Sequence, residues 1–447
     1  MRVKLKTRGI PPGTGSRLAS LLAAGCVFAG AFIAPANRVA AVELWLSSTN
    51  SLGYLGQHTN FGSGTQLNPY YGDFDYIMAN RIPASTIVHL GEGVFWTKAN
   101  FGYQIPAGIT LSGEGESFTT VRRATNFPGY AQQIYCILHS AYSNITVCNL
   151  TLDNNAFDCF ANGWTNAVLG VALLGSGETI QHVTDVNGYG KAFGFSPEGF
   201  QLSVGNFGQH DNKVIGCTVS NFIGLYGDGI AAVGDCVVEG NYIYFPVLPA
   251  GQPSPWQFGI NVVASSRGSL IIGNHVYGGA DGFHNDTAGD TNLVIADNVF
   301  ENVCQGVYLS GVAGPYNSVI ISHNLMTQIT NYPAYHSEMF LVDIDTYYPG
   351  ETNLNITVDG NILRYYQNVP FTSDGLQGAI HIAANLNKSN QNNENISIIN
   401  NQIDARMPVE ITDPISNLYA SGNIPLNGTN FATFNGYPGL TNFVPDP

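Results

Sequence analysis

Val237-Val238-Glu239-Gly240-Asn241-Tyr242-Ile243, Ile271-Ile272-Gly273-Asn274-His275-Val276 and Val294-Ile295-Ala296-Asp297-Asn298-Val299 are three copies of one phrase: alternating apolar residues, a turn, an Asn, and alternation again. The phrase returns at Ile320–Leu325, Ile356–Ile362 and Ile398–Ile403, with shorter copies at Val147-Cys148-Asn149-Leu150 and Ala420-Ser421-Gly422-Asn423-Ile424. From Asn241 the Asn spacings are 33, 24, 26, 37, 40 and 22 residues, so a unit of roughly two dozen residues carries variable insertions. Each unit holds short strands of period two separated by Gly/Asn turns. No long helical pattern lies between them, which excludes a doubly wound sheet. A unit this small buries its inward stripe only by stacking on its neighbours. An Asn at one turn of every coil can bond amide to amide along the stack. The repeat therefore predicts an all-β parallel β-helix, right-handed by the usual rule for parallel crossovers. Asn149, Asn241, Asn274, Asn298, Asn324, Asn361, Asn401 and Asn423 are read as the ladder, structural rather than ligating.

Composition agrees. The chain has 447 residues, 52 Gly, 45 Asn, 16 basic and 31 acidic residues, and 44% apolar residues. With 24 Phe and 23 Tyr it is no disordered chain. Clustered Lys/Arg for phosphate neutralisation is missing, so no nucleic-acid partner is expected. Residues 1–41 read as a signal peptide: Arg2, Lys4, Lys6, Arg8 and Arg17 precede the apolar run Leu18–Ala34, which is short for a membrane span. Retention as an anchor, or lipidation at Cys26, are the alternatives. After processing, 10 basic face 31 acidic residues, a net charge of −21, and a secreted or cell-surface location without a membrane span is expected. The six remaining Cys show no Cys-x-x-Cys zinc spacing; they read as buried thiols, a bridge among Cys136, Cys148 and Cys159 being the alternative.

The opening segments Thr86–Phe95 and Pro106-Ala107-Gly108-Ile109-Thr110-Leu111-Ser112-Gly113-Glu114-Gly115 resemble those of the pectate-lyase superfamily of right-handed β-helices. Asp73–Met78 with Ile82 suggests the short helix that caps the open barrel end in that family. The expected organisation is a signal peptide (1–41), an N-terminal extension and capping segment (42–108), a parallel β-helix (109–425) and a C-terminal tail (426–447). The resemblance implies three strands per coil, with the strand before each Asn phrase carrying the active site on its outer face.

Those strands include Gly259-Ile260-Asn261-Val262, Gly282-Phe283-His284-Asn285, Gly306-Val307-Tyr308-Leu309, Val342-Asp343-Ile344-Asp345, Ala379-Ile380-His381-Ile382 and Pro408-Val409-Glu410-Ile411. Alternation sends Phe283, Val307, Val342, Ile380 and Val409 inward. It sends Asn261, His284, Tyr308, Asp343, His381 and Glu410 outward, with Asp286 and Asp345 on the same face. Asp281, before Gly282, lies close to this row. Asp343, Asp345, His381, His284 and Asp281 are the candidate catalytic residues. Tyr308, Asp286, Trp256, Asn261 and Glu410 are the candidate substrate-binding residues; for Glu410 a plain solvated position is the competing reading. Asp343 and Asp345 would stand about 7 Å apart at Cα, near the spacing of inverting glycosidase carboxylates. Aromatic residues of the flanking loops, among them Tyr316 and Tyr365, would wall a groove. No Lys or Arg falls in the row, and the Arg-rich and Asp-Asp signatures of pectate lyases and polygalacturonases are missing. Three readings follow: a glycoside hydrolase acting on a polysaccharide or oligosaccharide, a lyase using His284 or His381 with Tyr308, and a non-catalytic glycan-binding β-helix. No cofactor or metal is expected, except Ca²⁺ in the lyase case.

Overall fold

The computed structural model describes residues 41–98, 104–125, 135–161, 168–190, 198–202, 210–220, 223–224, 226–232, 235–246, 256–262, 267–285, 291–309, 316–328, 339–346, 353–365, 377–384, 393–405, 408–411 and 415–427. The expected export segment with Cys26 lies outside these residues but for Ala41, as does most of the tail expected at 426–447.

Successive coils stack in parallel. A 23-stranded sheet takes two strands from most coils and a 12-stranded sheet takes the third. Three apolar columns face the interior. The first runs Val214, Val238, Ile271, Ile295, Ile321, Val358, Ile398 and Ala420. The second runs Val219, Ile243, Val276, Phe300, Met326, Leu363 and Ile403. The third runs Ile230, Ile260, Phe283, Val307, Val342, Ile380 and Val409. All of these residues are buried and nearly all lie in one core. No single coil could enclose such an interior; each column becomes dry only when the neighbouring coil covers it.

The Asn ladder closes the turn between the first two columns. Asn241 donates its backbone N–H and its Nδ2 to Asn274 Oδ1 at 3.0 and 2.9 Å, and its Nδ2 to the Val214 carbonyl at 3.0 Å. The same three bonds recur through Asn401, which donates to Asn423 Oδ1. Each amide thus satisfies two backbone groups that would otherwise be buried unpaired. Asn149 is not on this ladder. It sits one residue earlier in its coil, at φ 57°, in a left-handed column with His182, Gly216, Gly240, Gly273, Asp297, His323, Gly360 and Asn400. In the coils before Asn241 the ladder position belongs to Leu150, Val183 and Cys217. The ladder Asn residues follow the left-handed residue and do not adopt its conformation themselves.

Parallel stacking begins upstream of residue 109: Val42–Leu46 pairs with Thr86–Leu90, which pairs with Thr110–Gly113. The helix Phe74–Asn80 starts at Asp73, whose side chain accepts the Tyr76 N–H. Its buried Phe74, Ile77 and Met78 join the core beside Val88, Leu90 and Phe95 and cover the first coils. None of the six described Cys is in a disulfide, and five of them are buried. Among the described residues no helix is long and apolar enough to cross a membrane.

Candidate active site

The strands Tyr226–Ala232, Trp256–Val262, Asp281–Asn285, Gln305–Leu309, Met339–Thr346, Gln377–Ala384 and Val409–Ile411 lie side by side in parallel. Their register aligns Ala231, Asn261, His284, Tyr308, Asp343, His381 and Glu410, one from each strand. Neighbours in this row are about 4.8 Å apart.

A glycine column adds a second row to the same face. Gly229, Gly259, Gly282 and Gly306 each stand where a Cβ would collide with the second core column: Ile243, Val276, Phe300 and Met326 respectively. It would also meet the carbonyl of the next coil. The backbone therefore presses inward at glycine and alternation slips by one residue. The residue before each glycine comes out on the same face as the residue two places after it. Asp228, Phe258, Asp281 and Gln305 are those residues.

The two rows meet in hydrogen bonds. Asp281 Oδ2 lies 2.5 Å from His284 Nδ1. Asp343 Oδ1 lies 3.0 Å from His381 Nδ1, and Asp343 Oδ2 accepts Gln305 Nε2 at 2.9 Å. Asn261 Nδ2 donates to Asp228 Oδ2 at 3.1 Å. A carboxylate only accepts, so each imidazole carries a proton on Nδ1 and turns Nε2 away from its Asp. The rings are held in plane: Phe258 stacks on His284 at 3.9 Å and Phe340 on His381 at 4.4 Å, and Tyr308 meets the His284 ring edge-on at 5.2 Å. An aromatic on one coil thus braces a histidine on the next, twice. Between the two Asp–His pairs lies the strand of Gln305 and Tyr308.

The structure brings Asp281, His284, Tyr308, Asp343, His381, Asn261 and Glu410 onto one face. It places Trp256 at the start of a strand rather than in a loop, its side chain outside the described residues. Asp345 shares the strand of Asp343, opposite Ala383, and its side chain too lies outside them. Asp286 lies outside them entirely. The row is not the solvated surface that alternation suggests: Asp343 is 6% exposed, His381 2%, His284 4% and Asp281 0%. Nor is Glu410 solvated, at 4% exposure. Tyr316 and Tyr365 are core residues and not groove walls; Tyr316 Oη donates to Asn285 Oδ1 at 2.9 Å. Asp228, which the sequence reads as a turn residue before Gly229, belongs to this face, and Gln305, Phe258 and Phe340 escaped sequence reasoning. The recurring frame Asp228-Gly229-Ile230-Ala231, Phe258-Gly259-Ile260-Asn261, Asp281-Gly282-Phe283-His284 and Gln305-Gly306-Val307-Tyr308 was the signal that could have found Asp228, Gln305 and Phe258. Among the described residues no group of three or more His, Cys, Asp or Glu side chains is arranged to hold a metal ion.

Residues 198–340 match the family model described as a right handed beta helix region, which spans most of the strands of this face. No curated protein matches the chain in sequence. Among solved structures it is similar to a family 28 exopolygalacturonase of Yersinia enterocolitica, with 12% identity over 90% of this chain and 77% of that one, at a TM-score of 0.49. It is also similar to the A-module of a mannuronan C-5 epimerase of Azotobacter vinelandii, with 16% identity over 76% and 91% of the two chains, at a TM-score of 0.30. A polygalacturonase of Erwinia carotovora gives 13% identity over 78% and 90%, at a TM-score of 0.37. The chain is a right-handed parallel β-helix protein, the architecture of the pectate lyases that its opening segments resemble.

Proposed function

We propose that the protein is a secreted enzyme that hydrolyses glycosidic bonds of a polysaccharide, with His284 as general acid and Asp343 as general base. The observation that supports this most is the pair of buried Asp–His contacts flanking Tyr308 on one face. The fold does not require them. At outward positions on another face of the same coils stand Val237, Leu270, Val294 and Ile320. Burying carboxylates and imidazoles costs desolvation that apolar residues would avoid, so their concentration here points to chemistry. The resemblance to pectate lyases implies that this strand face holds the reacting groups, and a row running along the stack suits a chain-like substrate.

The roles follow from partners. Asp281 offers a countercharge to His284 when the ring is protonated, so His284 can deliver a proton to the leaving oxygen. Asp343 is oriented by His381 and Gln305 and can take a proton from water. His284 and Asp343 stand two strand spacings apart, about 10 Å at Cα. Acid and base groups held roughly 6.5–9.5 Å apart leave room for a water between them and invert the anomeric centre, and two strand spacings keep this pair from the closer contact of retaining enzymes.

Incubating residues 42–447 with a panel of polysaccharides tests this. New reducing ends without unsaturated sugars, and a first-formed product of inverted anomeric configuration, are expected. Unsaturated ends would instead assign an elimination to His284 and Tyr308. Binding without new ends would leave a non-catalytic glycan-binding β-helix, and a retained configuration would contradict the assigned roles.

A further inference from the structure

Asn261 and Gln305 each hold a side-chain amide at the edge of the site, 5% and 1% exposed. Asn261 adjoins His284 in register, and Gln305 adjoins Asp281. Each amide gives its NH₂ group to a carboxylate, Asn261 to Asp228 and Gln305 to Asp343. That fixes which way the amide faces, because a carboxylate cannot donate. The carbonyl oxygens, Asn261 Oδ1 and Gln305 Oε1, must then point elsewhere. Both are buried, and neither receives a hydrogen bond from any described residue. Buried acceptors left without a donor are uncommon because they forfeit their hydration. Two of them on the same face as His284 and Asp343 is a pattern that wants donors supplied from outside.

We propose that Asn261 Oδ1 and Gln305 Oε1 are recognition groups for hydroxyl donors of a neutral sugar, which makes the substrate an uncharged glycan and not a polyuronate. This deepens the hydrolase reading above and rests on it for the location of the site. The acidic groups of the two rows outnumber the basic ones, which are His284 and His381. Asp228, Asp281, Asp343 and Glu410 are carboxylic side chains, and no Lys or Arg stands in either row. A sugar hydroxyl can donate to an amide oxygen and lose little on leaving water. A uronate carboxylate brings only acceptors and a like charge to this face, and would be rejected at both positions.

The test is binding to the intact chain, read by calorimetry, with cello-, laminari-, xylo- and mannohexaose as neutral probes and hexagalacturonate, hexamannuronate and Ca²⁺ as counter-probes. At least one neutral hexaose should bind, and the uronates and Ca²⁺ should not. O-methylation of that hexaose, which removes donors and keeps acceptors, should abolish binding. Asn261→Leu and Gln305→Met should each weaken it about threefold to tenfold, the worth of one neutral hydrogen bond. The methylated probe keeps the inference testable if a variant fails to fold. Tighter binding of a uronate, binding of Ca²⁺ that either variant abolishes, undiminished binding of the methylated sugar, or no binding of any neutral hexaose would each overturn it. A neutral hexaose that binds as expected and is never cleaved would leave this inference standing and remove the hydrolase reading. Cleavage of a uronan would do the reverse.

Discussion

Asp281 is the residue whose role is easiest to separate from plain structure. It is fully buried and it touches His284 Nδ1. As a positioning residue it should set the range of pH over which His284 carries the proton it donates. Asp281→Asn preserves an oxygen that accepts from Nδ1 and removes the negative charge. An opposite charge this close favours the protonated imidazole, so its loss should move the alkaline limb of the pH–rate profile to lower pH by about 1–3 units. A residue that served only packing would lower the amount of folded protein and leave that limb in place. Asp343 differs, since its two oxygens already serve two donors. An amide there keeps one acceptor and turns an NH₂ toward the other donor, so Asp343→Asn should cost about 1–3 kcal/mol of stability. The row's burial makes that cost larger than a solvent-facing strand position would suggest.

At the scale of the strand and its coil, the glycine column explains both what could be read in advance and what could not. The inward residues Phe283, Val307, Val342, Ile380 and Val409 were legible because period two from each of them onward is unbroken. The row Asn261, His284, Tyr308, Asp343, His381 and Glu410 was legible for the same reason. Gln305 was not, because strict alternation sends it inward with Val307. Only the slip at Gly306 brings it out. Asn149 was misplaced by one residue because the left-handed residue and the ladder residue are adjacent, and Asn suits both. Tyr316 and Tyr365 looked like groove aromatics because sequence alone does not say which side of a turn a ring takes. Burial of the row was illegible in principle: strand periodicity says which face a side chain takes and nothing about what lies over it. The glycine account has a direct consequence. A Cβ at position 282 meets Phe300 and, at 2.7 Å, the Gly306 carbonyl oxygen. Gly282→Ala should therefore cost about 1–3 kcal/mol through overpacking and displace Asp281 from His284. A urea midpoint lowered together with activity is the expected result; an unchanged midpoint would mean the column tolerates a side chain.

Across the whole molecule three buried acids share one direction. Burial pushes Glu178 up to about 8, although its carboxylate accepts the Ile145 N–H at 3.1 Å. Burial likewise raises Asp75 to about 6 against the bonds from Thr97 and Lys98, and raises Asp185 well above the ordinary carboxylate range. A raised folded value means the native state holds protons that the unfolded chain has released. The stability these groups contribute is complete below their ordinary values near 4 and is lost as pH rises through the folded values, between about 4 and 8 for Glu178. The net charge of −15 at pH 7 adds repulsion in the same direction. The urea midpoint should fall from pH 4.5 to pH 8.5, and Glu178→Gln, which keeps an oxygen for Ile145, should flatten the fall; a midpoint that rises over this range would contradict it. The resulting picture is an acid-favouring solenoid with one face to which the proposed chemistry is assigned. That face is tested most directly by the turnover of Asp343→Asn on whichever polysaccharide the native chain cleaves, at a pH where both proteins are folded and at saturating substrate. A fall of about 10²–10⁴-fold is expected, the usual contribution of a general acid or base; native turnover in the folded variant would contradict the account.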